Sequence, residues 1–160
     1  MGVLPFRDEA EQRAALPRAL EHLRAGGMLL YPTETVYGIG GRASPDAVER
    51  LAGLKPRGET QPFLLVVSDA AQAPGLHWSD AARRLAAAFW PGPLTLVLRA
   101  TDAAAWPARV VSPKGGVALR ETPHAGLRLL LDALGEPMTS TSANSPGARP
   151  AGTADEARAL

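Results

Sequence analysis

Short apolar runs, of the kind that form buried strands, alternate along this chain with segments of helical pattern. The strand-like runs are 28–32, 63–67, 94–98, 117–120 and 137–141. The helical segments are 9–25, 44–54, 79–89, 123–134 and a last one that begins after Thr153. Such alternation is typical of an α/β sheet with helices packed on it. The 160 residues are enough for one domain with a sizeable core.

Local signals mark several element boundaries. Ser44-Pro45-Asp46 combines an N-cap, a first-turn proline and an acidic residue, and it predicts a helix through about residue 54. Ser79 and Thr153 are predicted N-caps as well. Pro17 predicts a break, or a second helix start, within the first helical segment. Residues 101–115 lack periodicity and are predicted to form a long loop, which is often a functional feature in a compact domain.

Composition narrows the function classes. The formal net charge is +1, with 46% hydrophobic and 21% charged residues, so no overall field would attract nucleic acid. Cysteine is absent, which excludes disulfides, thiolate metal sites and a cysteine nucleophile. The three histidines lack metal-ligand spacing, and no metal site is expected. Because the chain has neither a run of membrane-span length nor a signal peptide, we expect it in the cytoplasm.

Lysine is rare: the chain has 15 arginines but only two lysines, Lys55 and Lys114. A lysine in such a background indicates a position that needs a compact ammonium group. Lys55-Pro56-Arg57 follows a predicted helix, and its two cations suit a phosphate or a carboxylate. A solvated turn whose cations complement the helix dipole explains the same residues. Standard nucleotide-binding glycine motifs are absent, so isolated cations and backbone groups would have to hold a nucleotide.

Polar side chains cluster just beyond three predicted strands. Thr33, Thr35 and Tyr37 lie in the glycine-bearing decapeptide 31–40, which suits a polar ligand pocket or an ordinary hydroxyl-rich strand and turn. Residues 139–144 read Thr-Ser-Thr-Ser-Ala-Asn, which suits a cradle of donors and acceptors or a turn that satisfies its own backbone. Arg120 ends an apolar strand, as a carboxylate clamp or a snorkelling edge residue would.

Taken together, these segments resemble the YrdC-like family, whose enzymatic members are L-threonylcarbamoyladenylate synthases. The resemblance is carried in order by Pro-Thr-Glu-Thr-Val-Tyr-Gly-Ile-Gly at 32–40, Lys-Pro-Arg at 55–57, Phe-Trp-Pro-Gly-Pro-Leu-Thr-Leu-Val-Leu at 89–98, Val-Ala-Leu-Arg at 117–120 and Ser-Thr-Ser-Ala-Asn at 140–144. It implies a twisted mixed α/β sheet around a concave, positively charged cavity. It also implies that residues 1–160 are a single YrdC-like domain that lacks the usual C-terminal extension.

The resemblance further implies a nucleotidyltransferase that forms threonylcarbamoyl-AMP and pyrophosphate from L-threonine, bicarbonate and ATP with Mg²⁺, without a tightly bound cofactor. Other proteins would then transfer the threonylcarbamoyl group to a tRNA adenosine. Residue by residue, it implies L-threonine contacts at Thr33, Thr35, Tyr37, Arg120 and Ser142, and catalytic cations at Lys55 and Arg57. It implies nucleotide contacts at Lys55, Arg57, Gln61, Gly116, Ser140, Asn144 and Thr153.

An alternative of a different class is a module of the same fold that binds nucleotide or RNA, either double-stranded or tRNA, without the full reaction. Aromatic residues are only 5% of the chain, which argues against a base-stacking surface. The chain is expected to act as a monomer or a homodimer, because dimerisation would cover apolar surface that a missing tail leaves exposed.

Overall fold

The computed structural model describes residues 2–55, 61–145 and 147–160. Short 3₁₀ turns lie at Ala70–Gln72 and Ala103–Ala105. In chain order, the helices and strands are α1 (Glu9–Arg24), β1 (Leu29–Tyr31), β2 (Gly38–Gly40), α2 (Pro45–Leu54), β3 (Leu64–Val67), β4 (Leu76–His77), α3 (Asp80–Phe89), β5 (Leu96–Ala100), β6 (Gly116–Glu121), α4 (Ala125–Leu134), β7 (Met138–Ser142) and α5 (Ala154–Arg158).

The seven described strands form one mixed sheet. Their order across the sheet is β1-β2-β7-β3-β6-β5-β4. The central neighbours β3 and β6 run parallel, and the other neighbouring pairs run antiparallel. The structure thus confirms the predicted mixed α/β sheet.

Helices pack on both faces of the sheet. On one face, residues of α2 and α3 join the odd-numbered residues of β3 and β6, such as Leu65 and Leu119, in the larger core cluster. On the other face, α1 and α4 pack over Val66, Met138 and Tyr31. This second cluster lies towards the C-terminal end of β3, where Val66 pairs with Met138. The remainder of that sheet face therefore lies outside this cluster.

Helix α1 is continuous, so the predicted break at Pro17 is wrong. Asp8 accepts a hydrogen bond of 2.9 Å from the backbone of Glu11 and starts the helix. Pro17 lies on the exposed side, where water can satisfy the carbonyl group left without a partner, while Ala15 and Ala19 on either side of it are buried. Packing of the buried stripe on both sides of the proline outweighs the lost hydrogen bond.

Several strand boundaries differ from the prediction. Strands β2 and β4 were not predicted, because three and two residues are too short to show an alternating pattern. Strand β5 begins two residues later than predicted. The turn after α3 extends through Leu94, whose carbonyl accepts a hydrogen bond of 2.7 Å from the Trp90 indole.

At Gly40 the backbone of β7 leaves no room for a side chain. A Cβ atom on Gly40 would lie 1.7 Å from the backbone oxygen of Thr139. We expect Gly40→Ala to lower the free energy of unfolding by about 3 kcal/mol, because the two strands would have to separate. Gly53 on α2 has no atom within 4 Å of its Cβ position, so Gly53→Ala is the matched control and should stabilise by about 0.5–1 kcal/mol. Urea unfolding of both variants measures this, and equal effects would contradict the close approach.

Candidate active site

Part of one sheet face lies outside the described apolar core clusters. The register places alternate residues of β6 on this face together with Val97, because Val97 pairs with Ala118. Val97 is 71% exposed, although it lies within a strand. Leu64 pairs with Ser140, and Ser142 follows on the same side of β7. We call this region the open face; it consists of Leu64, Val97, Gly116, Ala118, Arg120 and Ser142.

Arg120 lies at one side of the open face. Two residues hold it there: Thr95, just before β5, and Glu34, in the loop between β1 and β2. Its Nε and Nη2 atoms donate to Thr95 Oγ1 at 3.1 and 2.9 Å, and its Nη1 atom donates to Glu34 Oε1 at 3.1 Å. The other carboxylate oxygen of Glu34 accepts a hydrogen bond of 2.9 Å from Thr122 Oγ1. Both members of the ion pair are largely shielded, with side chains 22% and 13% exposed. Arg120 is therefore fixed in orientation rather than snorkelling at the sheet edge.

The loop between β1 and β2 carries the three hydroxyl residues predicted to contact threonine. Thr33 is used locally, since its Oγ1 donates to the Val36 carbonyl at 2.6 Å and accepts from the backbone of Thr35. Thr35 is exposed. Tyr37 packs against a small cluster that contains Ala143 and Ala151. Of the three side chains, that of Thr35 is the most accessible to a ligand.

Lys55 meets the end of β7. It is the C-cap residue of α2, and its ammonium group donates to the backbone oxygen and to Oδ1 of Asn144 at 2.5 and 2.8 Å. The Ser142 hydroxyl donates to the same Oδ1 at 2.8 Å. The structure therefore brings Lys55, Ser142 and Asn144 together and contradicts a simple solvated turn at Lys55. Ser142, predicted to contact L-threonine, lies beside two residues predicted to contact the nucleotide, and all three roles stay predictions.

Asn144 also organises the loop that follows β7. Its amide nitrogen donates to the backbone oxygens of Ser145 and Ala148 at 3.0 and 2.9 Å. This is the turn network that the sequence left open as an alternative. Because Asn144 Oδ1 also accepts from Lys55, the same residue holds the ammonium group in place. A direct contact between Asn144 and a nucleotide stays a prediction.

The other predicted nucleotide contacts are dispersed. The Ser140 side chain is buried close to Tyr31 and Gly38, Gly116 begins β6, and Gln61 is exposed. Thr153 is the N-cap of α5 and accepts a hydrogen bond of 3.2 Å from the backbone of Glu156. Their contacts with a nucleotide stay predictions. Arg57 lies outside the described residues.

The two polar groups of the site are separated along and across the sheet. Arg120 pairs with Val66, which pairs with Met138, and Ser142 lies four residues further along β7. Strand spacing and rise place the Cα atoms of Arg120 and Ser142 about 10 Å apart across the strands and about 13 Å apart along them. Side chains that point from both places over the open face can therefore contact opposite ends of one extended ligand.

Burial shifts the pKa of two titratable groups near Glu34. Burial raises the pKa of Tyr31 well above its ordinary value, although a hydrogen bond with Ser140 acts in the opposite direction. Its hydroxyl donates to the Thr139 carbonyl at 3.2 Å. Burial lowers the pKa of His124, against the influence of the Glu34 charge. His124 Nδ1 accepts from the Leu127 backbone at 3.2 Å and so caps α4.

Sequence reasoning missed three residues of this site. Glu34 lies between two threonines that were singled out, and Thr95 lies within the quoted 89–98 motif, yet neither received a role. Thr122 follows Arg120 by two positions. One signal could have pointed to Glu34, which is the only acidic residue in the decapeptide 31–40.

A cavity of about 660 Å³ lies beside the larger core cluster and not on the open face. Its lining includes Trp78, Arg83, Trp90 and Glu121. Within residues 2–55, 61–145 and 147–160, no group of three or more acidic, histidine or cysteine side chains is arranged to hold a metal ion. None of the helices in that part of the chain has the length and apolar character needed to cross a membrane.

Known proteins similar to this chain include bacterial enzymes. A protein named threonylcarbamoyl-AMP synthase from Halorhodospira halophila is 37% identical over 164 residues, which cover 98% of this chain and 78% of that protein. A protein of the same name from Stenotrophomonas maltophilia is 38% identical over 149 residues, which cover 88% and 77% of the two chains. The chain thus spans more than three quarters of both relatives.

A solved structure has the same fold. The crystal structure of P. abyssi Sua5 complexed with L-threonine matches with a TM-score of 0.82 at 30% identity. The match covers 95% of this chain and 44% of the P. abyssi chain, so this chain spans less than half of that protein. The Sua5/YciO/YrdC family model, described as "Telomere recombination", matches residues 21–159. The chain therefore belongs to the Sua5/YciO/YrdC family.

Proposed function

We propose that this protein is a threonylcarbamoyl-AMP synthase, which joins L-threonine, bicarbonate and ATP into threonylcarbamoyl-AMP with release of pyrophosphate and water. The observation that carries the proposal is that fixed cations lie at two places around the open face: Arg120 on it, and Lys55 beside Ser142 and Asn144 at the end of β7. The relatives named threonylcarbamoyl-AMP synthase and the P. abyssi complex with L-threonine support it.

The amino acid would lie at the Arg120 side. A guanidinium group binds a carboxylate through parallel N–H donors, and Thr95 holds this one in orientation. Bound there, the threonine ammonium group loses a proton to solvent, and the resulting amine attacks a carbon dioxide equivalent derived from bicarbonate and forms a carbamate. Thr35 is accessible on the adjacent loop and is the side chain we assign to the threonine hydroxyl.

The nucleotide phosphates would lie at the Lys55 side. The carbamate oxygen attacks the α-phosphorus of ATP, the bond to the β-phosphate oxygen breaks, and pyrophosphate leaves. Lys55 offsets the negative charge that gathers as two anions approach each other, so its contribution is positioning and charge stabilisation. We assign Arg57 to the same phosphates because it belongs to the same Lys-Pro-Arg motif as Lys55. The separation of the two groups suits an amino acid joined through a carbamoyl group to a phosphate.

ATP would bring Mg²⁺, bound chiefly through its own phosphate oxygens. The product is a mixed anhydride, so a second protein must accept the threonylcarbamoyl group and transfer it to a tRNA adenosine. Because the proposed reaction consumes ATP and serves tRNA, we assign the protein to the cytoplasm. Nothing in the comparisons favours the alternative of an RNA-binding module without chemistry.

Release of pyrophosphate tests the proposed function. We expect the purified protein to release pyrophosphate from ATP and Mg²⁺ only when L-threonine and bicarbonate are both present. Omitting either should reduce the rate to background, because the nucleophile is a carbamate made from both. The H. halophila relative is the positive control in the same assay. A folded protein that releases none, while the relative is active, contradicts the proposal.

A further inference from the structure

Glu34, the acidic partner of Arg120, has no role yet in the proposed binding of anionic substrates. Glu34 lies at the edge of the open face with its side chain 13% exposed. Each of its carboxylate oxygens is held, one by Arg120 Nη1 at 3.1 Å and the other by Thr122 Oγ1 at 2.9 Å. In a site that only gathers anions, a fixed negative charge at this point would repel carboxylate, bicarbonate and phosphate.

Both charged groups keep capacity for a ligand. The hydrogen bonds of Arg120 among the described residues use Nε, one N–H of Nη2 and one N–H of Nη1. A guanidinium group has five N–H donors, so each terminal nitrogen of Arg120 has a second N–H for a carboxylate. The oxygens of Glu34 likewise have lone pairs beyond those that Arg120 and Thr122 occupy.

This arrangement complements a zwitterion. An α-amino acid carries a carboxylate and an ammonium group on the same carbon atom, so its opposite charges lie as close together as those of Arg120 and Glu34. We propose that Glu34 accepts hydrogen bonds from the ammonium group of the amino acid substrate whose carboxylate Arg120 holds. The inference rests on the proposed function and deepens it: Glu34 selects α-amino acids over hydroxy acids that lack the amine.

A purely structural role for Glu34, as an anchor that orients Arg120, predicts different behaviour. An anchor would affect all ligands that use Arg120 equally. An ammonium receptor affects only ligands that have the amine. The two roles are therefore separated by comparing L-threonine with 3-hydroxybutyrate, which keeps the carboxylate and the hydroxyl group but lacks the amine.

The test is calorimetric titration of the wild-type protein and of Glu34→Gln with both ligands. Glutamine keeps the volume and an oxygen acceptor for Arg120 but removes the charge. We expect Glu34→Gln to weaken L-threonine binding about tenfold or more beyond its effect on 3-hydroxybutyrate, because hydrogen bonds between charged groups are the strong ones. Thr95→Val is the matched control, since it removes only a support of Arg120 and should weaken both ligands alike.

The outcomes distinguish the inference from the function. If Glu34→Gln weakens both ligands equally, as Thr95→Val does, the inference is wrong and the proposed function stands. If the wild-type protein binds neither ligand, the proposed function fails and the inference fails with it. Should Glu34→Gln not fold, the wild-type protein still decides: we expect it to bind L-threonine about tenfold or more tightly than 3-hydroxybutyrate, and equal binding overturns the inference.

Discussion

Replacing Lys55 with alanine is expected to lower kcat/KM for pyrophosphate release by about 10²–10³-fold, the range found when one preorganised charge-stabilising donor is removed. Lys55 is anchored by two hydrogen bonds to Asn144, at 2.5 and 2.8 Å. Its ammonium group is therefore in place before the phosphates arrive, and its loss removes stabilisation where negative charge develops. Steady-state kinetics with varied ATP measures the effect.

The chain offers a matched control for this prediction. Lys114, the other lysine, is exposed in the turn before β6. Lys114→Ala makes the same chemical change and should alter kcat/KM less than about twofold, because the exposed Lys114 side chain, unlike that of Lys55, is not fixed at the end of β7. Lys55→Arg should stay strongly impaired, because the planar fork of arginine does not fit a place shaped for a compact ammonium group. Full activity in Lys55→Ala would contradict the catalytic role of Lys55.

Replacing Arg120 with alanine is expected to raise KM for L-threonine by about 100-fold or more, the effect typical of removing one partner of a shielded charge pair. The variant should also lose about 2–3 kcal/mol of stability, because the largely shielded carboxylate of Glu34 would keep its charge without Arg120. Kinetics with varied L-threonine and urea unfolding measure the two effects separately.

A double variant separates the two causes. Arg120→Ala combined with Glu34→Gln removes the uncompensated charge, so it should recover most of the lost stability while L-threonine binding stays weak. An equal stability of the single and double variants would contradict the ion pair as a structural element. An unchanged KM for L-threonine in folded Arg120→Ala would contradict the assignment of the carboxylate to this side chain.

The fold was most predictable where a local signal decides the structure. Ser79 and Thr153 are N-caps as predicted, because a side-chain oxygen next to a helical pattern satisfies a backbone N–H of the first turn. Pro17 shows the limit of such reasoning. Proline disfavours a helix interior locally, but the packing of α1 on α4 decides the outcome, and packing partners so distant in sequence leave no local signal.

In the candidate site as well, residues with a local signal were predicted, and residues defined only by distant contacts were not. Residues 55 and 142–144 were singled out because of their chemical type, and the structure brings them together. The partners of Arg120 were not found, because Glu34 lies 86 positions and Thr95 lies 25 positions away in the chain. Contacts of this kind depend on the order of the strands, which the one-dimensional pattern does not reveal.

The most direct test of the proposed site is a crystal structure of the protein with L-threonine and a non-hydrolysable ATP analogue. We expect both ligands to lie over the open face, with the threonine carboxylate on Arg120 and the phosphates within hydrogen-bond distance of Lys55. Ligands bound instead in the cavity beside Trp78 and Trp90, or phosphates bound out of hydrogen-bond reach of Lys55, would contradict this assignment.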